Sequence, residues 1–173
     1  MPTWLIYGLI SSLFWGTYAV ISKIVTSEKY LKVQSTDAPL LMFIGIMLVF
    51  FLFFLIKASS LNGMMKIFGL ALIVIVIAYI LLALKQTGVN ITPTVLILGS
   101  LTGALWAAGM IFTFFAFSAG AEAAKLVPIY NTNTLIAVFL GIMMLHELPA
   151  LDARIKVITG AVLIVVGSIL VSK

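Results

Sequence analysis

The chain has 173 residues, 64% of them hydrophobic and 9% charged, with a mean hydropathy of +1.30. A soluble domain carries about 25% charged residues, so this composition excludes an ordinary soluble fold. The net charge of +5 is the excess of ten Lys and Arg over five Asp and Glu, the cations scattered between apolar runs, which excludes a nucleic-acid surface and leaves cations that set topology and meet lipid headgroups.

Six apolar runs follow one another at about 4–26, 38–56, 67–84, 94–118, 123–145 and 155–172. Each is near the ~20 residues that cross ~30 Å of hydrocarbon as a helix. None shows the alternation of a membrane barrel, and inside lipid a helix satisfies its own backbone. The expected fold is therefore an all-α integral membrane bundle of about six helices in one domain, residues 1–173. The loops are too short to fold separately.

The first run starts at Trp4 and outlasts a signal-peptide core of about 7–15 residues, so it is expected to remain as a span. Gly8, Ser12, Gly16 and Ala19 form one face of small residues, extended by Lys23. Such faces let helices approach closely in lipid; here they serve packing alone or line a path. Trp4, Tyr7 and Tyr30 read as interfacial anchors. Trp15 lies inside the span, and its indole N–H wants a partner. With Tyr18 it is a candidate cavity wall, or else a packed core residue. Lys23 has the position of a snorkelling residue at a helix end.

Polar connections follow at 27–37, 57–66 and 85–93, the second carrying Ser59 and Ser60. The fourth run repeats the small-residue spacing with Gly99, Gly103 and Ala107 and contains a second internal Trp, Trp106. The loop at 119–122 makes a tight hairpin with the fifth run.

The fifth run carries the polar stretch. Tyr130, Asn131, Thr132, Asn133 and Thr134 are five consecutive hydrogen-bonding residues several positions inside a span. Two Asn in hydrocarbon are costly without partners. Pro128 removes a helical N–H and frees a carbonyl near Ala124. Interrupted polar helices at membrane depth build transporter sites, so this stretch either faces a solute or glues neighbouring helices. His146 and Glu147 close the run as candidate coupling or gating groups, or as residues facing water at the membrane edge. The last connection, 146–154, holds Pro149 and Asp152, and the sixth run has Gly160 and Gly167 one heptad apart.

One His, no Cys and no acidic pair within the spans leave no catalytic constellation. Neither an enzyme, a metal nor a cofactor is expected.

GLISSLFWGTYAVISK at Gly8–Lys23, LGSLTGALWAAGMIFTFFAFSAG at Leu98–Gly120, AKLVPIYNTNTLIAVFLGIMMLHE at Ala124–Glu147 and ITGAVLIVVGSILVS at Ile158–Ser172 resemble, in that order, an EamA-type domain of the drug/metabolite transporter superfamily. The later part is also similar to the superfamily's sugar-uptake branch, where Leu-Trp-Ala-x-Gly precedes a Pro-containing helix. The resemblance covers about 60% of the chain. It implies a cell-membrane carrier of a small polar metabolite that alternates access to a central site, with Trp15, Trp106, Pro128, Asn131 and Glu147 matching the family pattern. Trp15, Trp106 and Asn131, with Tyr18, Tyr130 and Asn133, are the candidate substrate residues, and Pro128 and Glu147, with Lys23 and His146, the candidate coupling or gating residues.

Two departures stand out. Full-length relatives have two such domains, and the usual half has five helices, so 67–84 is an extra one. A homodimer is expected, in an antiparallel arrangement if both orientations insert. The alternation of spans puts Lys23, Lys29, Lys32, Lys85, Arg154 and Lys156 on one side against Lys57, Lys66, Lys125 and Lys173 on the other. That bias is small enough to permit insertion both ways. The first span lacks the carboxylate of the small multidrug branch, which argues against that branch's mechanism. The rival expectation is a non-transporting membrane scaffold or subunit.

Overall fold

The computed structural model describes residues 1–57, 62–147 and 150–172. Ser59, Ser60, Pro149 and Lys173 lie outside the described residues, as does the side chain of Asp152. The elements are α1 (Thr3–Thr26), α2 (Ala38–Lys57), α3 (Gly63–Gln86), α4 (Pro93–Ser118), α5 (Ala123–Tyr130), α6 (Asn133–Leu145) and α7 (Leu151–Ser172). Among the described residues six spans are long and apolar enough to cross a membrane, with α5 and α6 together forming the fifth. The expected all-α membrane fold is thus present. The third and last helices begin four residues earlier than their apolar runs. For α3 the reason is a cap: Asn62 Oδ1 accepts the Met64 N–H at 3.2 Å, starting the helix before its hydrophobic stretch.

Two helix ends need glycine. Gly88 and Gly120 have φ of +80° and +89°. At the second, the Ala121 N–H bonds the Ala116 carbonyl and the Gly120 N–H bonds that of Phe117. This paired closure stops α4 and turns the chain sharply toward α5.

The chain divides into two compact units, residues 21–107 and residues 1–20 with 108–173. In the 21–107 unit an aliphatic cluster joins Val25, Val33, Leu41, Ile44, Ile80 and Leu84. Glycines bring α2 and α4 into backbone contact. A Cβ on Gly45 would overlap the Ser100 carbonyl oxygen, and one on Gly103 the Met42 carbonyl oxygen. Gly99 receives the Leu41 side chain, and Ala107 is fully buried. The buried Thr102 hydroxyl turns back to its own helix, donating to Gly99 O at 2.6 Å. Asp37, before α2, is 3% exposed, and its Oδ2 meets no partner among the described residues. Its carbonyl accepts the first-turn N–H groups of Leu40 and Leu41, so the carboxyl stands at the positive end of that helix.

The other unit is laced by hydroxyls. Ser11 Oγ donates to Gly109 O at 2.9 Å and lies 2.8 Å from Thr113 Oγ1, while Ser12 Oγ lies 2.8 Å from Thr132 Oγ1. The Tyr7 ring packs against Phe112 and Phe115, with centroids 6.1 and 5.7 Å away. On α7 the expected stripe of Gly160 and Gly167 is not the packed one. Neither glycine has a neighbour within 4 Å of its would-be Cβ, whereas Ala161 and Ser168, one residue along each time, are buried. Ser168 offers a hydrogen bond as well as small size, and that selects the face.

Candidate functional site: an interrupted span

The fifth span breaks where its sequence turns polar. Helix α5 ends at Tyr130, Asn131 and Thr132 form a turn, and α6 begins at Asn133. Asn131 is the ninth residue from Ala123, about 12 Å along the helix at 1.5 Å per residue, well inside the apolar layer. Pro128 has no N–H to give Ala124. The backbone then tightens: Thr132 N–H bonds Ile129 O, Thr134 N–H bonds Asn131 O and Leu135 N–H bonds Thr132 O, all three residues back. Thr132 thereby abandons the Pro128 carbonyl. Ser168 Oγ on α7 takes it up at 2.8 Å.

Helix α1 supports the break through the face of small residues. A Cβ at Gly8 would come within 2.9 Å of Leu126 Cδ1, and one at Gly16 within 2.5 Å of Ile136 Cβ and 2.8 Å of the Asn133 carbonyl oxygen. Ser12, between them, meets the Thr132 hydroxyl, which also donates to Ile129 O at 2.7 Å. Trp15 stands edge-on to Tyr130, centroids 4.9 Å apart at 78°. Its indole lies against Gly109, where a side chain would collide with it. Edge-to-face pairs of this kind contribute about 0.5–1.5 kcal/mol beyond area burial.

The polar stretch is shared between two roles. The Thr132 hydroxyl is taken up by Ser12 of α1 and by Ile129 O of its own span. Asn131 and Thr134 are exposed, and Tyr130 and Asn133 half-buried. Thr134 Oγ1 donates to Asn131 O at 3.1 Å and lies 3.4 Å from Asn133 Oδ1. Among the described residues none meets the Asn131 amide. An unmet amide at this depth needs water, solute or another chain beside it.

A cleft of about 310 Å³ opens along the same helix, lined by Thr134, Gly141, Ile142, Glu147 and Val157 among others. Its carboxylate arrives by a reversal of the chain. His146 adopts a left-handed conformation, φ 54°, at the end of α6. The N–H groups of His146 and Glu147 both return to the Gly141 carbonyl. Glu147 Oε2 then lies 4.0 Å from where a Gly141 Cβ would stand. Glycine leaves the carboxylate room against α6.

The structure thus gathers Trp15, Pro128, Tyr130, Asn131 and Asn133 around the break, with Glu147 at the cleft on α6. Tyr18 is half-buried on α1 in the same unit, and His146 is exposed, its backbone forming the turn. Trp106 (half-buried) and Lys23 (exposed, last turn of α1) belong to the 21–107 unit and are described with it. The sequence reading missed Ser11, Thr113 and Ser168, which hold the site's walls, and Gly141. Ser11 and Thr113 are detectable as hydroxyls within apolar runs; Ser168 stands beside Gly167, whose spacing gives the stronger signal.

A protein-family model described as sugar transport protein matches residues 52–173. The match includes α3 to α7, and so the break and Glu147, but not Trp15. No curated protein and no solved structure matches the chain.

Proposed function

The chain belongs to the sugar transport protein family, and from that membership we propose that it is a secondary carrier of a small hydroxylated solute, with the binding site on its interrupted fifth span. The observation that carries this reading is the turn at Asn131 and Thr132 inside an apolar span, with Asn131 and Thr134 exposed. Amide, hydroxyl and carboxylate groups complement sugar hydroxyls, and an aromatic pair such as Trp15–Tyr130 suits the apolar face of a pyranose ring. Asn131, Asn133 and Thr134 bind the solute in this reading. Pro128 supplies the flexible point, Glu147 and His146 gate or couple the cleft, and Tyr18 is a further candidate contact.

The order of a glycine-spaced helix, a Pro-containing span, a closing Glu and a final helix supports the finer kinship with EamA-type drug/metabolite transporter domains. On that kinship the carrier works in the cell membrane by alternating access as a homodimer, in an antiparallel arrangement. The unmet Asn131 amide supports a second chain or water at that depth. Reporters on both faces of the membrane test the arrangement: one strict orientation rules out the antiparallel form.

The deciding experiment is a thermal-shift and liposome-uptake screen of the purified chain against sugars. A sugar that stabilises the protein and is accumulated should lose both effects in Asn131→Leu, while the variant's own unfolding temperature stays unchanged. Undiminished binding by Asn131→Leu would falsify the placement. The rival reading, a non-transporting subunit, draws on Thr132, whose hydroxyl is occupied by Ser12 of α1 and by Ile129 O of its own span; it gains if no sugar shifts the wild-type protein.

A further inference from the structure

A second cavity has walls of the wrong chemistry for a sugar. In the 21–107 unit an open groove of about 700 Å³ runs where α3 ends and α4 begins. Leu81, Leu82, Ile91 and Leu96 form its walls, with Lys85 and Asn90 at the rim. Such walls offer a hydroxylated solute nothing in exchange for its water. They do suit a hydrocarbon chain, and the rim lies at a helix end, where the apolar layer gives way to headgroups.

The surrounding charge selects the kind of amphiphile. The aliphatic cluster brings the 27–37 connection against this end of α3 and α4, packing Leu31 and Val33 with Leu84, Val89 and Ile91. Lys23, Lys29 and Lys32 therefore share this end with Lys85, against Glu28 and the buried Asp37. The positive end of α4 opens here too, capped by Thr92 Oγ1, which accepts the Val95 N–H at 3.2 Å. Four lysines and the positive end of α4 outweigh the two carboxyls and the negative ends of α1 and α3 here, and basic pockets at the membrane surface recruit anionic headgroups.

We infer that this groove is a binding site for an anionic phospholipid, its acyl chain between α3 and α4 and its headgroup phosphate met by Lys85 and Asn90. The site is separate from the interrupted span and does not depend on what the carrier moves.

The test is native mass spectrometry of the full chain in neutral detergent, titrated with phosphatidylglycerol and phosphatidylcholine. Wild type should retain phosphatidylglycerol preferentially. Lys85→Gln, an exposed position that leaves the fold intact, should reduce that preference about fivefold, the worth of one Lys near an anionic surface. Ala78→Phe, which fills the groove, should lower retention of both lipids. Lys57→Gln, at the opposite end of the unit, should change neither. Equal retention of the two lipids by wild type, or an equal loss in Lys57→Gln and Lys85→Gln, overturns the proposal. So does a soluble glycerophosphate that competes as well as the lipid, because the acyl chain would then contribute nothing.

Discussion

The two units solve the same problem, holding helices together in a solvent that gives apolar surfaces no reason to associate, in different ways. Residues 21–107 use backbone contact. Gly45 and Gly103 remove the side chains from a crossing, and the Leu41–Leu84 cluster fills the space around it. Residues 1–20 with 108–173 use hydroxyls and aromatic edges: Ser11 with Thr113, Ser12 with Thr132, Ser168 with the Pro128 carbonyl, Trp15 with Tyr130. A backbone crossing leaves no room for water. A hydroxyl-laced bundle can interrupt a helix at membrane depth and still satisfy most of the freed groups, which a polar site requires.

Disturbing the crossings should therefore be the most damaging change available. In Gly45→Ala the methyl group lands on the Ser100 carbonyl, and in Gly103→Ala on that of Met42. Backbone cannot swing aside, so each should cost the upper end of the about 1–3 kcal/mol typical of overpacking, or more. Thermal unfolding in detergent measures it. A loss below about 1 kcal/mol in both would mean that α2 and α4 do not approach this closely.

Gly16→Ala probes the matching contact on the other unit and should cost less. The intruding methyl meets Ile136 Cβ at 2.5 Å and the Asn133 carbonyl at 2.8 Å, a shallower overlap than those at Gly45 and Gly103. About 1–2 kcal/mol is expected, with solute uptake falling further than stability because Asn133 opens α6. Uptake and unfolding temperature falling strictly together would make Gly16 a packing residue only.

Much of this division was legible from residue order. Hydrophobic runs of spanning length predict six helices because lipid permits little else. The Gly8–Ser12–Gly16 and Gly99–Gly103–Ala107 faces showed where close contact would fall. Helix α7 shows the limit. Gly160 and Gly167 have the right spacing, but which face of an apolar helix turns inward depends on a partner far away in the chain, and the Pro128 carbonyl that engages Ser168 exists only because the fifth span tightens there. The turn of Glu147 back over α6 was equally hidden, since His146 carries no strong signal for a left-handed conformation. Nor did the 21–107 groove announce itself, being lined by ordinary aliphatics from two helices.

The open face of α7 makes a further prediction. Gly160 has open space around it, so Gly160→Ala adds helix propensity without collision and should stabilise by about 0.5–1 kcal/mol. A destabilised Gly160→Ala would restore the glycine stripe as the packed face.

The smallest effect is the most discriminating. Ser168→Ala keeps the size of the side chain and removes one hydroxyl, which donates to the Pro128 carbonyl at 2.8 Å and lies 2.8 Å from the Ile164 carbonyl of its own helix. Hydrogen bonds between helices in membranes average about 0.6 kcal/mol, so the unfolding temperature should hardly move. Yet the Pro128 carbonyl would lose its substitute donor at the point where the span is interrupted, and water would have to replace it. Backbone hydrogen exchange around residues 128–134 should accelerate while exchange in 21–107 stays unchanged. Acceleration in both units alike would mean that the bond contributes to general stability rather than to holding the break.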